Sequence, residues 1–183
     1  MQQANSITTR TGDQGTTHLF SGETVSKNSP QTNAYGDLDE VVSILGVARS
    51  LTANPEMAER LIALQRKLFV VGAELATSLE HVHLLKERVD REMLAALDGE
   101  RDALEAALPP PKGFILPGGT PAAAQIDLAR AVARRCERKA VGLLEQGLLE
   151  NKTLIVWLNR LSDYLWLMAR AEEGEATLMK DDG

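Results

Sequence analysis

Apolar residues recur at three- and four-residue steps along most of the chain after residue 30, which is the spacing of one face of an α-helix. This period predicts five helices, at about residues 31–52, 55–79, 85–108, 120–146 and 151–173. The predicted inward positions of the first helix are Leu38, Val41, Val42, Leu45 and Ala48. Since no alternating β-branched segment interrupts the helices, we expect an all-α fold, a five-helix up-and-down bundle.

Each of the other predicted helices also has one apolar stripe. Those positions are Leu61, Leu64, Leu68, Val71 and Leu75 in the second helix, Val89, Met93, Leu97, Leu104 and Leu108 in the third, Ile126, Ala129, Ala133, Cys136 and Ala140 in the fourth, and Leu154, Leu158, Leu161, Leu165 and Met168 in the fifth. Asn54-Pro55 and Thr120-Pro121 place a capping side chain before a proline, which is typical of helix starts. The proline-rich stretch "LPPPKGFILPGG" predicts a firm break before the fourth helix.

Residues 1–30 have no helical period and are rich in glycine and small polar residues, as in "TTRTGDQGTTHLFSGETVSKNSP". We expect an ordered N-terminal loop segment with a short hairpin. No linker or internal repeat divides the rest, so the 183 residues are expected to form a single domain, with the bundle over 31–173.

Composition narrows the classes of function. With 44% hydrophobic and 25% charged residues the chain has the make-up of a globular protein, and no apolar run approaches the ~20 residues of a membrane span. The first residues lack a signal-peptide pattern and Cys136 is the only cysteine, which together favour the cytoplasm. A net charge of −6 argues against a nucleic-acid partner.

The fourth helix is locally basic despite the acidic total. Its basic residues are Arg130, Arg134, Arg135, Arg138 and Lys139. Arg130, Arg134 and Glu137 share a face at i, i+4 and i+7. A solvated face with intrahelical salt bridges is one interpretation, but a single acid within the run cannot pair with all five bases. The other is a site for a polyanion, because guanidinium groups bind phosphate oxygens in pairs.

Two glycine-containing segments are candidate phosphate loops. "GFILPGGT" has Gly119 where the P-loop needs a lysine, so a P-loop is rejected. "TRTGDQGTT" is the better cradle, because successive amides near glycines can converge on an anion. Its candidate ligand groups are Thr9, Arg10, Thr11, Gly12, Gly15, Thr16 and Thr17, with Lys27 adding charge. Taken alone, the segment is also compatible with an irregular arm.

Polar residues inside apolar helices are further candidates. Asn159 and Asp163 lie on one face of the fifth helix with Trp166, and burial there would require partners, either the arginine helix or a ligand. Asp39 and Glu40 interrupt the first helix, and a carboxylate there is expected to pair with an arginine of the fourth.

Two other signals are weaker. His81 and His83 are two residues apart without further His or Cys partners, which argues against a metal site. Arginines next to Cys136 suggest a lowered thiol pKa, but no base for thiol catalysis is recognisable.

Four blocks in the same order carry a resemblance to a known family. They are "TRTGDQGTT", "AYGDLDE", "FILPGGTPAAAQIDLARAVARRCERK" and "WLNRLSDYLWLMAR". The chain resembles the PduO-type ATP:cob(I)alamin adenosyltransferases from about Thr8 to Arg170, with the acidic part at 80–112 the least diagnostic. The implied fold is the ferritin-like five-helix bundle of these enzymes, assembled as homotrimers with ATP between subunits.

The resemblance also implies residue roles. The N-terminal loop and Lys27 would hold the triphosphate, and Arg130, Arg134, Glu137 and Asn159 would contact the nucleotide. Asp39 would pair with Arg130 across the subunit interface, Phe114 would lie against the lower face of the corrin, and Asp163 would lie on the corrinoid side. Arg130, Asp39 and Phe114 are thus the expected catalytic residues.

The implied reaction transfers the 5′-deoxyadenosyl group of ATP, with Mg²⁺, to the cobalt of cob(I)alamin and releases triphosphate. A reductase and an adenosylcobalamin-dependent enzyme are possible partners. Gln14 departs from the lysine common in "TGDKG", which puts triphosphate affinity in doubt and leaves as an alternative a non-catalytic ATP or corrinoid carrier or regulator with the same fold. An interaction-only bundle is a third hypothesis, which the Gly/Thr-rich loop does not favour.

Overall fold

A computed structural model describes residues 8, 10–110, 113–174 and 177–179, and the described chain is mainly helical. The helices are α1 Pro30–Leu51, α2 Pro55–Leu75, α3 Arg91–Ala107, α4 Pro121–Glu145 and α5 Lys152–Glu173, with a 3-10 segment at Leu79–Leu84. The strands β1 Thr16–His18 and β2 Thr24–Ser26 form the antiparallel hairpin expected near the N-terminus, with Thr17 opposite Val25. The predicted helical bundle is confirmed.

Side-chain caps explain where the helices begin. Asn54 accepts hydrogen bonds from the amides of Glu56 and Met57, and Thr120 accepts one from the amide of Ala123, so both predicted caps are confirmed. Ser29, Asp90 and Asn151 cap the other three helices in the same way, each satisfying an amide of the first turn that has no intrahelical partner.

The core lies between packed helix faces. α1 packs against α2 and α4, while α5 packs against α4 and α3. Every predicted inward position of α2, α4 and α5 is buried, whereas Val42, Met93 and Leu108 are only partly buried. Trp157 and Tyr164 are the largest fully buried side chains. This core fixes α4, with its basic face, between α1 and α5.

The segment between α2 and α3 corrects the predicted helix bounds. α2 ends at Leu75 and not 79, and α3 begins at Arg91 and not 85. The cause is the Glu74 carboxylate, which is 1% exposed and accepts hydrogen bonds from the Val89 amide, the Arg88 guanidinium and the Asn151 side chain. Because the Val89 amide is bonded to this side chain, Val89 packs inward ahead of the helix rather than within it.

No helix in the part of the chain that the structure describes is both long enough and apolar enough to span a bilayer.

Candidate functional site

One side of α4 is paired with α1. The Arg135 guanidinium contacts Asp37, with Nε 3.1 Å from Oδ2, and it also forms an ion pair with Glu40. Lys139 Nζ lies 2.8 Å from Asp37 Oδ1 and donates a second hydrogen bond to the Asn33 carbonyl at 3.1 Å. The contact of its guanidinium with the Asp37 carboxylate raises the pKa of Arg135. These cations therefore hold α4 against α1.

The expected pairing between an acid of α1 and an arginine of α4 exists, but Asp39 does not provide it within the chain. Glu40 pairs with Arg135, and so does Asp37, which the sequence analysis did not single out. Asp39 is exposed and forms no ion pair with any residue that the structure describes. Its partner across a subunit interface, expected to be Arg130, stays a prediction.

The other side of α4 faces α5 and presents a polar depression of about 260 Å³. Its lining consists of Arg134, Glu137, Arg138, Val141 and Asn159. Asn159 Nδ2 donates a hydrogen bond to Glu137 Oε1 at 3.1 Å. Among the described residues, no carboxylate pairs with Arg134 or Arg138. The depression thus contains three of the predicted nucleotide residues, Arg134, Glu137 and Asn159. The guanidinium groups of Arg134 and Arg138, which have no ion-pair partner among the described residues, are suited to bind phosphate oxygens.

Arg130, the fourth predicted nucleotide residue, lies one turn before this depression. Its side chain is 30% exposed, and its Nε lies 3.4 Å from Oδ1 of the buried Asp127. Asp127 was not among the predicted site residues, although an acid three residues before an arginine on a helix is a recognisable signal of such a pair.

The N-terminal loop is closed by Lys27. A side chain at Gly12 would lie 2.9 Å from Lys27 Nζ, so the ammonium group rests directly on the loop. The Lys27 amide donates a hydrogen bond to the Gly15 carbonyl at 2.9 Å. Arg10 and Gly15 adopt left-handed backbone angles, φ 60° and 79°, which curl the chain between them. The structure therefore brings Lys27 to the predicted phosphate loop.

The remaining loop residues are only partly informative. Thr9, a predicted ligand, lies outside the described residues. Thr11 and Gln14 are exposed, while Thr16 begins β1.

The Glu23 carboxylate connects the hairpin to the residues that follow α2. Glu23 accepts hydrogen bonds from the hydroxyls of Ser21 and Ser78, and its Oε1 lies 2.8 Å from Nδ1 of His81. The hydrogen bonds from Ser21 and Ser78 lower the pKa of Glu23 to about 2. His81 thus has a structural role, and the described residues contain no group of three potential metal ligands around it or elsewhere.

Phe114 lies on a short strand-like pairing outside the bundle. Its side chain is 83% exposed, and its carbonyl accepts a hydrogen bond from the Met179 amide at 2.8 Å. The Leu116 amide donates to the Thr177 carbonyl at 2.9 Å. The backbone around Phe114 is therefore held in place while its ring remains available for contact.

Asn159 and Asp163 are exposed, because their side of α5 points away from the packed stripe, and Asn159 has a partner on the arginine helix, Glu137. The expectation of a lowered thiol pKa is wrong. Cys136 is not an activated thiol: burial raises its pKa to about 12, and its sulfur donates to the Ala34 carbonyl at 3.4 Å. Desolvation outweighs the positive residues nearby because those residues already face Asp37.

The predicted triphosphate loop and the α4–α5 depression are separate surfaces of one chain. The hydrogen bonds that attach the hairpin to the bundle include contacts with Ala76, Ser78 and His81 just after α2, and with Thr32 of α1. None of the described loop residues lines the α4–α5 depression.

The fold and these surfaces define a class: a five-helix bundle with a basic helix face and a glycine loop that carries a lysine. A model of the family described as cobalamin adenosyltransferase matches residues 7–172. The chain therefore belongs to the cobalamin adenosyltransferase family.

Curated relatives agree with this family. A corrinoid adenosyltransferase of Citrobacter freundii is 41% identical over 167 residues, which cover 91% of this chain and 94% of the relative. A corrinoid adenosyltransferase PduO of the same organism is also 41% identical, over 93% of this chain. The chain spans only 50% of that PduO protein's length.

A solved structure agrees as well. A variant PduO-type ATP:corrinoid adenosyltransferase from Lactobacillus reuteri, complexed with cobalamin and ATP, superposes with a TM-score of 0.87 at 31% identity, covering 96% of this chain and 100% of that one.

Proposed function

We propose that this chain transfers the 5′-deoxyadenosyl group of ATP to the cobalt of a reduced corrinoid, cob(I)alamin. In this reaction the Co(I) electron pair forms a bond to C5′, and the C5′–oxygen bond breaks with its electrons leaving on triphosphate. The observation that carries the proposal is the uncompensated Arg134–Arg138 face in a family whose solved relatives bind ATP and cobalamin. Because Co(I) is itself the nucleophile, the protein has to hold charge and geometry rather than remove a proton.

The ATP side of the site is assigned to two surfaces. The phosphate loop would contribute Thr9, Arg10, Thr11, Gly12, Gly15, Thr16 and Lys27, and the basic face would contribute Arg130, Arg134, Glu137 and Asn159. The contact of Lys27 with Gly12 supports the first assignment, because it adds a cation to the loop that carries Gln14 in place of a lysine. Mg²⁺ would accompany the ATP phosphates as part of the substrate.

The corrinoid side is assigned to Phe114, Asp39 and Asp163. The exposed Phe114 ring supports this role, since an apolar wall against the lower face would keep an axial ligand off the cobalt. Asp39 lies at the edge of an apolar groove of about 410 Å³ between α1 and α2, which also includes Tyr35 and Phe69. A groove of this kind suits a large apolar ring or an adjoining subunit.

A homotrimer is part of the proposal. The hairpin after the phosphate loop is bonded to Ala76 and Ser78, whereas the basic face lies between α4 and α5, so a site that uses both would combine neighbouring copies. Asp39 of one copy would then pair with Arg130 of the next. A solution mass of a single 19.9 kDa chain would contradict this assembly. We also assign the protein to the cytoplasm, where an unpaired cysteine such as Cys136 stays reduced.

Direct assay tests the proposed reaction. Protein mixed with ATP, Mg²⁺ and chemically reduced cobalamin should produce the absorption spectrum of adenosylcobalamin together with inorganic triphosphate. Absence of a cobalt–carbon product would overturn the proposal. Nucleotide binding by calorimetry without turnover would favour the non-catalytic carrier that Gln14 suggests.

A further inference from the structure

A buried chain of alternating charges runs from the end of α5 to Arg130. Asp127 of α4 is 4% exposed, and Arg170 and Glu173 of α5 are 6% and 9% exposed. With Arg130 at its outer end, the cluster contains two cations and two carboxylates. A buried charge without a partner destabilises the folded protein. The partner of each charge therefore shows which side chains the cluster holds in place.

Arg170 is immobilised on several sides. Its Nη2 donates to Asp127 Oδ2 at 2.5 Å and to Glu173 Oε2 at 3.2 Å. Its Nε lies 2.6 Å from Glu173 Oε1, an ion pair whose atoms are not aligned as a hydrogen bond. The guanidinium carbon also lies 5.3 Å from the centre of the Trp166 ring. Arg170 is therefore a fixed anchor.

Glu173 fastens this anchor to the start of α4. A side chain at Gly119 would lie 2.8 Å from Glu173 Cβ and from Oε2, so the chain entering α4 passes directly over this carboxylate. The contact therefore ties the end of α5 to the turn before Thr120. Thr120 in turn caps the start of α4 by accepting a hydrogen bond from the Ala123 amide.

Asp127 has one oxygen for the anchor and one for Arg130. Oδ2 is bound by Arg170, and Oδ1 faces Arg130 Nε at 3.4 Å. No contact between described residues uses the terminal nitrogens of Arg130. An arginine held through Nε keeps its terminal nitrogens for other partners, here the ATP phosphate oxygens and Asp39 of the neighbouring copy.

We propose that Asp127, anchored by Arg170, is the positioning residue that sets the direction of the Arg130 guanidinium for ATP. The inference rests on the proposed function, because it concerns the ATP site of that reaction. Asp127 itself is too buried to contact a ligand, so it acts only through Arg130.

The first test compares two substitutions that each remove one carboxylate charge from the cluster. Asp127→Asn removes the charge beside Arg130, while Glu173→Gln removes it at the far end, with no contact to Arg130. Both should fold, since Arg170 keeps one carboxylate in either variant. We expect kcat/KM for ATP to fall about tenfold in Asp127→Asn and to change less than about twofold in Glu173→Gln, although both lose thermal stability.

If the cluster had only a structural role, kcat/KM for ATP would fall in both variants in proportion to their loss of stability. That result would overturn the inference. A double-mutant cycle sharpens it. In an Arg130→Lys background, which has no Nε donor, Asp127→Asn should cause no further loss of kcat/KM, whereas an additional tenfold loss would contradict action through Arg130.

A second pair of variants leaves the buried cluster intact and applies even if Asp127→Asn does not fold. Arg130→Lys should lose more kcat/KM for ATP than Arg134→Lys, because only Arg130 has an orienting carboxylate to lose. Equal losses would overturn the inference. An inactive wild-type protein in the adenosylcobalamin assay would instead contradict the proposed function.

Discussion

The two sides of α4 carry similar charge but differ in how that charge is compensated. Toward α1, Arg135 and Lys139 share Asp37. Toward α5, Arg134 and Arg138 have no carboxylate partner among the described residues and surround a depression that ends at Asn159. A run of arginines therefore does not identify a site by itself. The placement of acids on the neighbouring helices separates the cations that hold the fold from those that remain for a ligand.

The uncompensated side has an energetic cost without ligand. Neighbouring like charges on one helix face repel each other and weaken the helix slightly. A bound polyanion removes that repulsion and gains charge-assisted hydrogen bonds, so the free energy becomes available for binding rather than for folding.

The largest expected effect separates these two sides by activity. Arg134→Ala should lower kcat/KM for ATP about 100-fold, because a charge-assisted hydrogen bond contributes about 1.5–3 kcal/mol. Arg135→Ala, its matched control on the next residue, should change kcat/KM less than about threefold. The measurement is steady-state adenosylcobalamin formation at varied ATP concentration.

The free energy of unfolding should be affected more by Arg135→Ala than by Arg134→Ala. Arg134→Ala is expected to leave the free energy of unfolding unchanged within about 0.5 kcal/mol, since it removes no partner. Equal losses of activity in the two variants would erase the distinction between the sides of α4.

One side of this comparison could be predicted from the sequence better than the other. All five positions of α4 that the period of three and four residues predicted to face inward are buried, because they depend only on local spacing, but the buried Asp127, Val132 and Leu143 were not among them. The same geometry predicted that Arg134 and Glu137 share a face, and Asn159 of α5 does meet Glu137. Thr120 was also recognisable as the cap that starts the helix.

Contacts between distant segments were beyond that reasoning. Asp37 and Lys139 meet across 102 positions, and Glu74 redirects residues 76–90 through bonds to Val89 and Asn151. Such pairs depend on how helices are arranged, which no periodicity specifies. The exposure of Asp163 could not be predicted for the same reason, because the orientation of α5 is set by α3 and α4.

The next effect concerns the compensated side. Asp37 is 8% exposed and faces both Arg135 and Lys139, so Asp37→Asn should lower the free energy of unfolding by about 2 kcal/mol. Glu40→Gln, at a largely exposed partner of the same arginine, should cost less than about 1 kcal/mol. Urea unfolding followed by circular dichroism measures both. A loss from Glu40→Gln as large as that from Asp37→Asn would mean that burial does not determine how much an ion pair between α1 and α4 contributes to stability.

The smallest effect is expected for Cys136, which lies at the same contact between α1 and α4. Burial raises its pKa to about 12 from an ordinary 9.0, so the folded protein keeps a proton that the unfolded chain releases above pH 9. The stabilisation is therefore complete below pH 9 and is lost as the pH rises toward 12. Between pH 8 and pH 10 the wild type should lose roughly 1 kcal/mol more stability than Cys136→Ala, which is about the value of one proton over one pH unit. Urea unfolding at both pH values, with reductant present, measures this difference. Parallel losses in the two proteins would show that Arg135 and Lys139 do act on the thiol, and that their charge is less fully neutralised by Asp37 than the geometry indicates.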